Sequence, residues 1–145
     1  MNINPKLYYT LCWTWGIIMT LIGACVAAVC SVMGYKAQKY AGAVCYEVGK
    51  KPWGGICLGQ YFFCSPGATK HTKDHEFGHS LQNAIWGPLF PFVIAIPSFI
   101  RCQKFNSNIK KGIPNKEDYD AIWFEGQATE WGTKVAKEWN NLLEE

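Results

Sequence analysis

The chain has 145 residues, the size of one domain, with 15% aromatic and 17% charged residues and a formal net charge of +3. Roughly a quarter of an ordinary soluble domain is charged, so this balance excludes a disordered chain and points toward contact with a membrane. The lysines are scattered and do not interleave with aromatics along any helix face, so no nucleic-acid partner is expected.

Residues 7–34 carry no charge. A helix of that length exceeds a hydrocarbon core of roughly 30 Å, and Tyr8, Tyr9, Trp13 and Trp15 at its start suit an interfacial belt. A transmembrane anchor over residues 1–34 is the expectation. Leu21-Ile22-Gly23-Ala24-Cys25 resembles a lipobox, but the apolar run continues to Met33, which favours a retained anchor over a cleaved one. Lys6 precedes the span and Lys36, Lys39, Lys50 and Lys51 follow it. The positive-inside rule then places the rest of the chain in the cytoplasm. Seven cysteines with no CxxC demand no disulfide framework, and reduced thiols are expected.

Residues 35–49 have no clear pattern. Residues 53–64 are β-prone and punctuated by glycine, and read as one or two short strands before the turn Ser65-Pro66-Gly67. A helix follows from about Ala68 to Trp86, capped by Thr69 or Thr72 and stopped by Gly87-Pro88. Residues 88–100 are apolar but hold Pro91 and Pro97, which suits a re-entrant or interfacial segment. Residues 101–111 read as a basic loop. A last helix is expected to begin near Pro114, capped by Asn115, and to run toward Leu143.

The chemistry lies in His75-Glu76-Phe77-Gly78-His79. Histidines four apart share one helix face and can bind one cation. Glu76, one residue on, is angled to take a proton from a metal-activated water. A catalytic zinc needs a third protein ligand and an open position. His71 shares the face but lies about 12 Å from His79 along the axis, too far for one ion. Glu117, Asp118 and Asp120 are explained by a helix start. Glu125 is the candidate, because Ala121, Ala128 and Gly132 flank it with a narrow face that another helix can approach. Pairing with a lysine is the alternative. If residues 81–100 crossed the bilayer, Glu125 would emerge roughly 30 Å from the histidines. The three-residue site therefore requires the chain to turn back before Arg101.

These residues, His75-Glu76-Phe77-Gly78-His79 with the downstream Glu125-Gly126-Gln127-Ala128, resemble the gluzincin clan of zinc metallopeptidases. Residues 53–130 are also similar to a family of small bacterial membrane proteins with HE-aromatic-GH, Gly-Pro-Leu and a distant Trp-x-Glu. The resemblance implies Zn2+ held by His75, His79 and Glu125, with Glu76 as the catalytic base. It implies a strand beside the site that pairs with an extended peptide, with Ile56, Leu58 and Gln60 as substrate-strand candidates. The clan's aspartate four residues after the third ligand is Thr129 here, an uncharged candidate for orienting a ligand histidine. Tyr119 and Tyr61 are candidate oxyanion donors.

The expected fold is mainly α with a minor β part. It comprises an N-terminal transmembrane helix, a glycine-rich strand or hairpin, the HExxH helix, an apolar re-entrant or interfacial segment over 88–100, and a C-terminal helix carrying the third ligand. Residues 1–34 form the anchor and residues 35–145 a zinc-peptidase-like domain. The expected activity is peptide-bond hydrolysis at a bacterial inner membrane, with lipid and a peptide or protein as partners and the zinc site on the cytoplasmic side. The alternative is a non-catalytic membrane protein in which zinc joins two helices.

Overall fold

The computed structural model describes residues 3–144. Pro5–Trp13 forms helix α1, with Pro5 at its first position and the Asn4 side chain accepting from Leu7 N–H. Ile17–Val32 forms α2, turned 88° from α1. The expected single span over 7–34 is therefore two helices, and among the described residues no single helix is long and apolar enough to cross a membrane. Contacts far along the chain fix the bend. Trp15 Nε1 donates to Ile85 O at 3.1 Å, and Gly16 lies against Asn83 with no room for a Cβ.

Four short strands follow: β1 (Ala37–Tyr40), β2 (Ala43–Glu47), β3 (Gly55–Leu58) and β4 (Tyr61–Cys64). The sheet order is β1-β2-β4-β3, with β2 and β4 parallel and the other two pairings antiparallel. The strand or hairpin expected in residues 53–64 is thus the β3–β4 hairpin, and β3 is a sheet edge. Residues 35–49, unassigned from sequence, supply β1 and β2.

Lys70–Trp86 forms α3, capped by Thr69, whose hydroxyl accepts from Thr72 N–H. Gly87 ends it at φ +52°, where a side chain would be strained and would also strike the Trp15 indole. A 3-10 turn (Gly87–Leu89) and a π turn (Pro91–Ala95) lead into α4, Ile96–Lys110. The chain bends by 119° between Leu89 and Pro91, so it turns back as the site requires. The stretch expected as a basic loop is helical, most of it lying in α4.

The last helix also starts later than expected. Tyr119–Ala121 is a 3-10 turn, Ile122 is extended, and α5 runs Trp123–Glu144. Asn115 caps nothing; it accepts from Asn108 Nδ2 at 2.8 Å and donates to Phe105 O at 3.4 Å. Ala121 therefore lies in the turn, off the α5 face that carries Ala128 and Gly132.

The core joins all the layers. Tyr8 and Cys12 of α1, Phe62 of β4, Phe77 and Leu81 of α3, and Val135 and Trp139 of α5 pack together. Each buried aromatic or leucine of this kind contributes about 1.5–3 kcal/mol by leaving water. At the α3–α5 crossing, Gly78 lies on the Ala128 backbone and Gly132 on the Asp74 carbonyl. A Cβ at either glycine would overlap those carbonyl oxygens, so the helices touch backbone to backbone. A second cluster joins Met19 of α2 to Phe90, Ile94 and Phe124. All seven cysteines are free, with the Cys45 and Cys64 sulfurs 3.6 Å apart.

Candidate metal centre

From Asp74 to Ala84 every residue of α3 is buried, although most of them are polar. Polar groups taken out of water need partners. Asp74 accepts from Tyr40 Oη at 2.5 Å and from Lys70 Nζ at 2.6 Å. Ser80 donates to Gly59 O at 2.6 Å. His75 and His79 find theirs on α5, because the close approach at Gly78 and Gly132 brings Glu125 between them. His75 Nε2 and His79 Nε2 each lie 3.1 Å from Glu125 Oε2, and the Glu125 side chain is wholly buried. His75, His79 and Glu125 are thus a group that could hold a metal ion.

The hydrogen bonds around this group decide where its protons sit. Gln82 Nε2 donates to Phe124 O at 2.8 Å and to Gln127 Oε1 at 3.1 Å, so its Oε1 faces His79 Nδ1 at 2.8 Å. His79 Nδ1 therefore carries a proton. Thr129 Oγ1 has one proton and gives it to Asp120 Oδ2 at 2.9 Å, so His75 Nδ1, 2.8 Å from Thr129 Oγ1, must donate as well. When neutral, both imidazoles then point bare Nε2 lone pairs at a carboxylate oxygen. Acceptors converging in this way are held together by a positive charge, which a metal ion between them or a proton on one Nε2 supplies. A tetrahedral zinc with bonds of about 2.0–2.1 Å sets its ligands roughly 3.3 Å apart, close to the 3.1 Å between Glu125 Oε2 and each Nε2. The donor set fits zinc.

Without a metal ion, a proton on Nε2 takes the cation's place. Burial pushes the Glu125 carboxyl up, but the His75 and His79 hydrogen bonds outweigh it and hold the group well below the usual carboxylate range. Burial lowers the His79 pKa, yet the hydrogen bond to Glu125 and the charges of Glu76 and Glu125 raise it overall. These two residues compensate for each other's burial. Glu76 has no such compensation: desolvation raises its pKa, and the two histidines offset this only in part.

Glu76 lines a cavity of about 210 Å³ together with both histidines and the β3 edge. Gly55 of β3 lies against the Glu76 carboxylate, and a Cβ there would displace it. Glu76 is buried from bulk solvent but lines the cavity.

The other sequence candidates are distributed as follows. Ile56 and Leu58 lie on β3 and line the cavity. Gln60 lies off the edge, in the turn after β3; it accepts from Trp13 Nε1 at 2.5 Å and donates to Gly42 O at 3.2 Å, so its amide is already engaged. Tyr61 packs near Ala27, Tyr46 and Phe63, away from the histidines. Tyr119 lines the cavity and donates to Glu125 Oε1 at 3.2 Å. Arg101 holds it in place, donating to Tyr119 O at 2.9 Å and to Asp118 O at 2.8 Å. His71 is largely exposed, 3.8 Å from Asp120. Gly55 and Asp120 escaped the sequence reading as site residues. The pairing of a glycine with an acidic neighbour on a distant helix leaves no local trace. No family model, no curated protein and no solved structure matches this chain.

Proposed function

We propose that the chain is a membrane-associated zinc metallopeptidase. The observation that carries this reading is the convergence of three potential ligand atoms, His75 Nε2, His79 Nε2 and Glu125 Oε2, beside a buried carboxylate, Glu76, that faces the cavity both histidines line. A zinc ion held there would supply Lewis acidity to a water and a carbonyl in the cavity. Glu76 takes the proton from the attacking water and delivers it to the leaving amine. Its raised pKa makes it a better acceptor than an exposed glutamate, and the protonated form is less disfavoured by burial. The free edge of β3 pairs with an extended peptide main chain, and Ile56 and Leu58 meet its side chains. The Tyr119 hydroxyl stands on the cavity wall, where turning from Glu125 Oε1 would make it a donor to the developing oxyanion.

The membrane part rests on the outer face of α2. Ile18, Leu21, Ile22, Val26, Val29 and Val32 are exposed there, and Phe92, Ile96 and Phe99 are exposed around the start of α4. An exposed apolar face of this extent calls for a partner. Lipid suits it, because Trp13 and Trp15 at the α1–α2 bend are half-exposed, as interfacial anchors are. Lys36, Lys39, Lys50 and Lys51 follow this face, and we place the site on the cytoplasmic side of a bacterial inner membrane.

A second reading has one observation in its favour. α3 and α5 meet backbone to backbone at Gly78 and Gly132, so a metal at this crossing would also pin two helices of a non-catalytic module. Glu76→Gln separates the two. Purified protein in detergent or lipid is incubated with a library of apolar peptides and the products are read by mass spectrometry. The peptidase reading expects wild type to cleave and Glu76→Gln to keep its zinc while losing at least a hundredfold in rate. Cleavage unchanged by the substitution contradicts that role for Glu76, and a wild type that cleaves nothing supports the non-catalytic module.

A further inference from the structure

A zinc-bound histidine is usually oriented by a carboxylate on its other ring nitrogen. Thr129, four residues after Glu125, carries no charge. The structure nevertheless puts a carboxylate at one remove. His75 Nδ1 donates to Thr129 Oγ1 at 2.8 Å, and Thr129 Oγ1 donates to Asp120 Oδ2 at 2.9 Å. Asp120 Oδ1 lies 4.0 Å from the same ring nitrogen, too far for a direct bond. Asp120 sits in the 3-10 turn Tyr119–Ala121, just before α5, while Thr129 sits two turns into that helix. The break between the turn and the helix folds the aspartate back over the threonine.

We propose that Asp120 is the positioning carboxylate of the metal centre and acts on His75 through the Thr129 hydroxyl. The threonine polarises toward Asp120 and so accepts more strongly from His75. That holds the ring with Nδ1 protonated and its Nε2 lone pair aimed at the cation. The charge remains outside the cluster, half-exposed, while only the neutral hydroxyl enters the buried space beside His75. The inference rests on the metal reading of the site.

The test is zinc affinity, measured by competition with a chromogenic chelator on the full chain. Thr129→Val and Asp120→Asn are each expected to weaken zinc by about 10–100-fold, and Thr129→Ser by less than about threefold, since it keeps the hydroxyl. The decisive variant is Asp120→Asn combined with Thr129→Asp, which puts a carboxylate directly on His75 Nδ1. The relay expects this double variant to recover affinity relative to Asp120→Asn alone. If Asp120 merely shapes the turn, the double variant stays as weak as the single one, and the relay is overturned. An Asp120→Asn chain that binds zinc as wild type does overturns the relay and leaves the site intact. A wild-type chain that takes up no zinc overturns the site reading and the relay with it.

Discussion

Helices α2 and α3 place their side chains against expectation, and in opposite senses. Residues 17–32 contain no charge, yet Ile18, Leu21, Ile22, Val26 and Val29 face outward. Residues 70–86 contain three histidines, a glutamate, an aspartate, two lysines and two amides, yet Asp74 to Ala84 is buried. The hydrophobic effect alone would exchange them. Two arrangements explain the inversion. α3 is affordable inside because most of its polar groups are matched, Asp74 to Tyr40 and Lys70, Ser80 to Gly59, His79 to Gln82 and Glu125, while Glu76 faces the cavity and Asn83 Oδ1 has no partner. α2 is tolerated outside because it meets, on our reading, a lipid phase rather than water. On the proposed function, the buried polar helix carries the chemistry and the exposed apolar helix locates it.

The contrast can be attacked where it costs most. Phe77→Ala removes the aromatic that ties the polar helix to Tyr8, Tyr40 and Trp139. Urea unfolding should show a loss of about 3–5 kcal/mol, against a total of roughly 5–15 kcal/mol for a typical domain. Gly78→Ala drives a methyl into the Ala128 backbone and should cost about 3 kcal/mol as overpacking. It should also lower zinc uptake, because Glu125 is pushed from the histidines. A Gly78→Ala chain of wild-type stability and zinc content would contradict the backbone-to-backbone crossing.

A smaller effect with a definite sign concerns Glu76. Its folded pKa is raised by burial, so it contributes stability fully below the usual glutamate range and loses it as pH rises through the folded value. In the zinc-free chain, Glu76→Gln should therefore be more stable than wild type at neutral pH, with the difference vanishing in acid. Equal stability at both pH values would mean that the carboxylate is well solvated. On α2, the combined substitution Ile18→Gln, Ile22→Gln and Val29→Gln should change unfolding in detergent by no more than about 0.5 kcal/mol per site. The same variant should lose most of its flotation with lipid vesicles. If it unfolds instead, that face is buried by protein and not by lipid.

The grouping of His75, His79 and Glu125 was legible in the sequence because its parts follow rigid local rules. His75 and His79 are one turn apart, and Glu125 stands on a helix whose Ala128 and Gly132 admit a close neighbour. The β3–β4 hairpin and α3 were readable for the same reason, through β-prone residues with glycine and through Thr69 and Gly87. What could not be read depends on contacts between distant residues. Hydropathy averages over 7–34 hide a bend that Trp15 and Asn83 set from seventy residues apart. The late start of α5 follows from Arg101 holding the backbone at Asp118 and Tyr119, while Asn115 bonds back to α4. That late start also brings Asp120 over Thr129.

The central claim is that His75, His79 and Glu125 form one metal centre, and zinc content tests it most directly. Elemental analysis of purified wild type and Glu76→Gln should find about one zinc per chain, as a single site with three protein ligands requires. His75→Ala, His79→Ala and Glu125→Ala should each retain less than about a tenth of that under the same chelator wash. Full retention by Glu125→Ala, with the two histidine variants empty, would show that the third ligand lies elsewhere and would contradict the account.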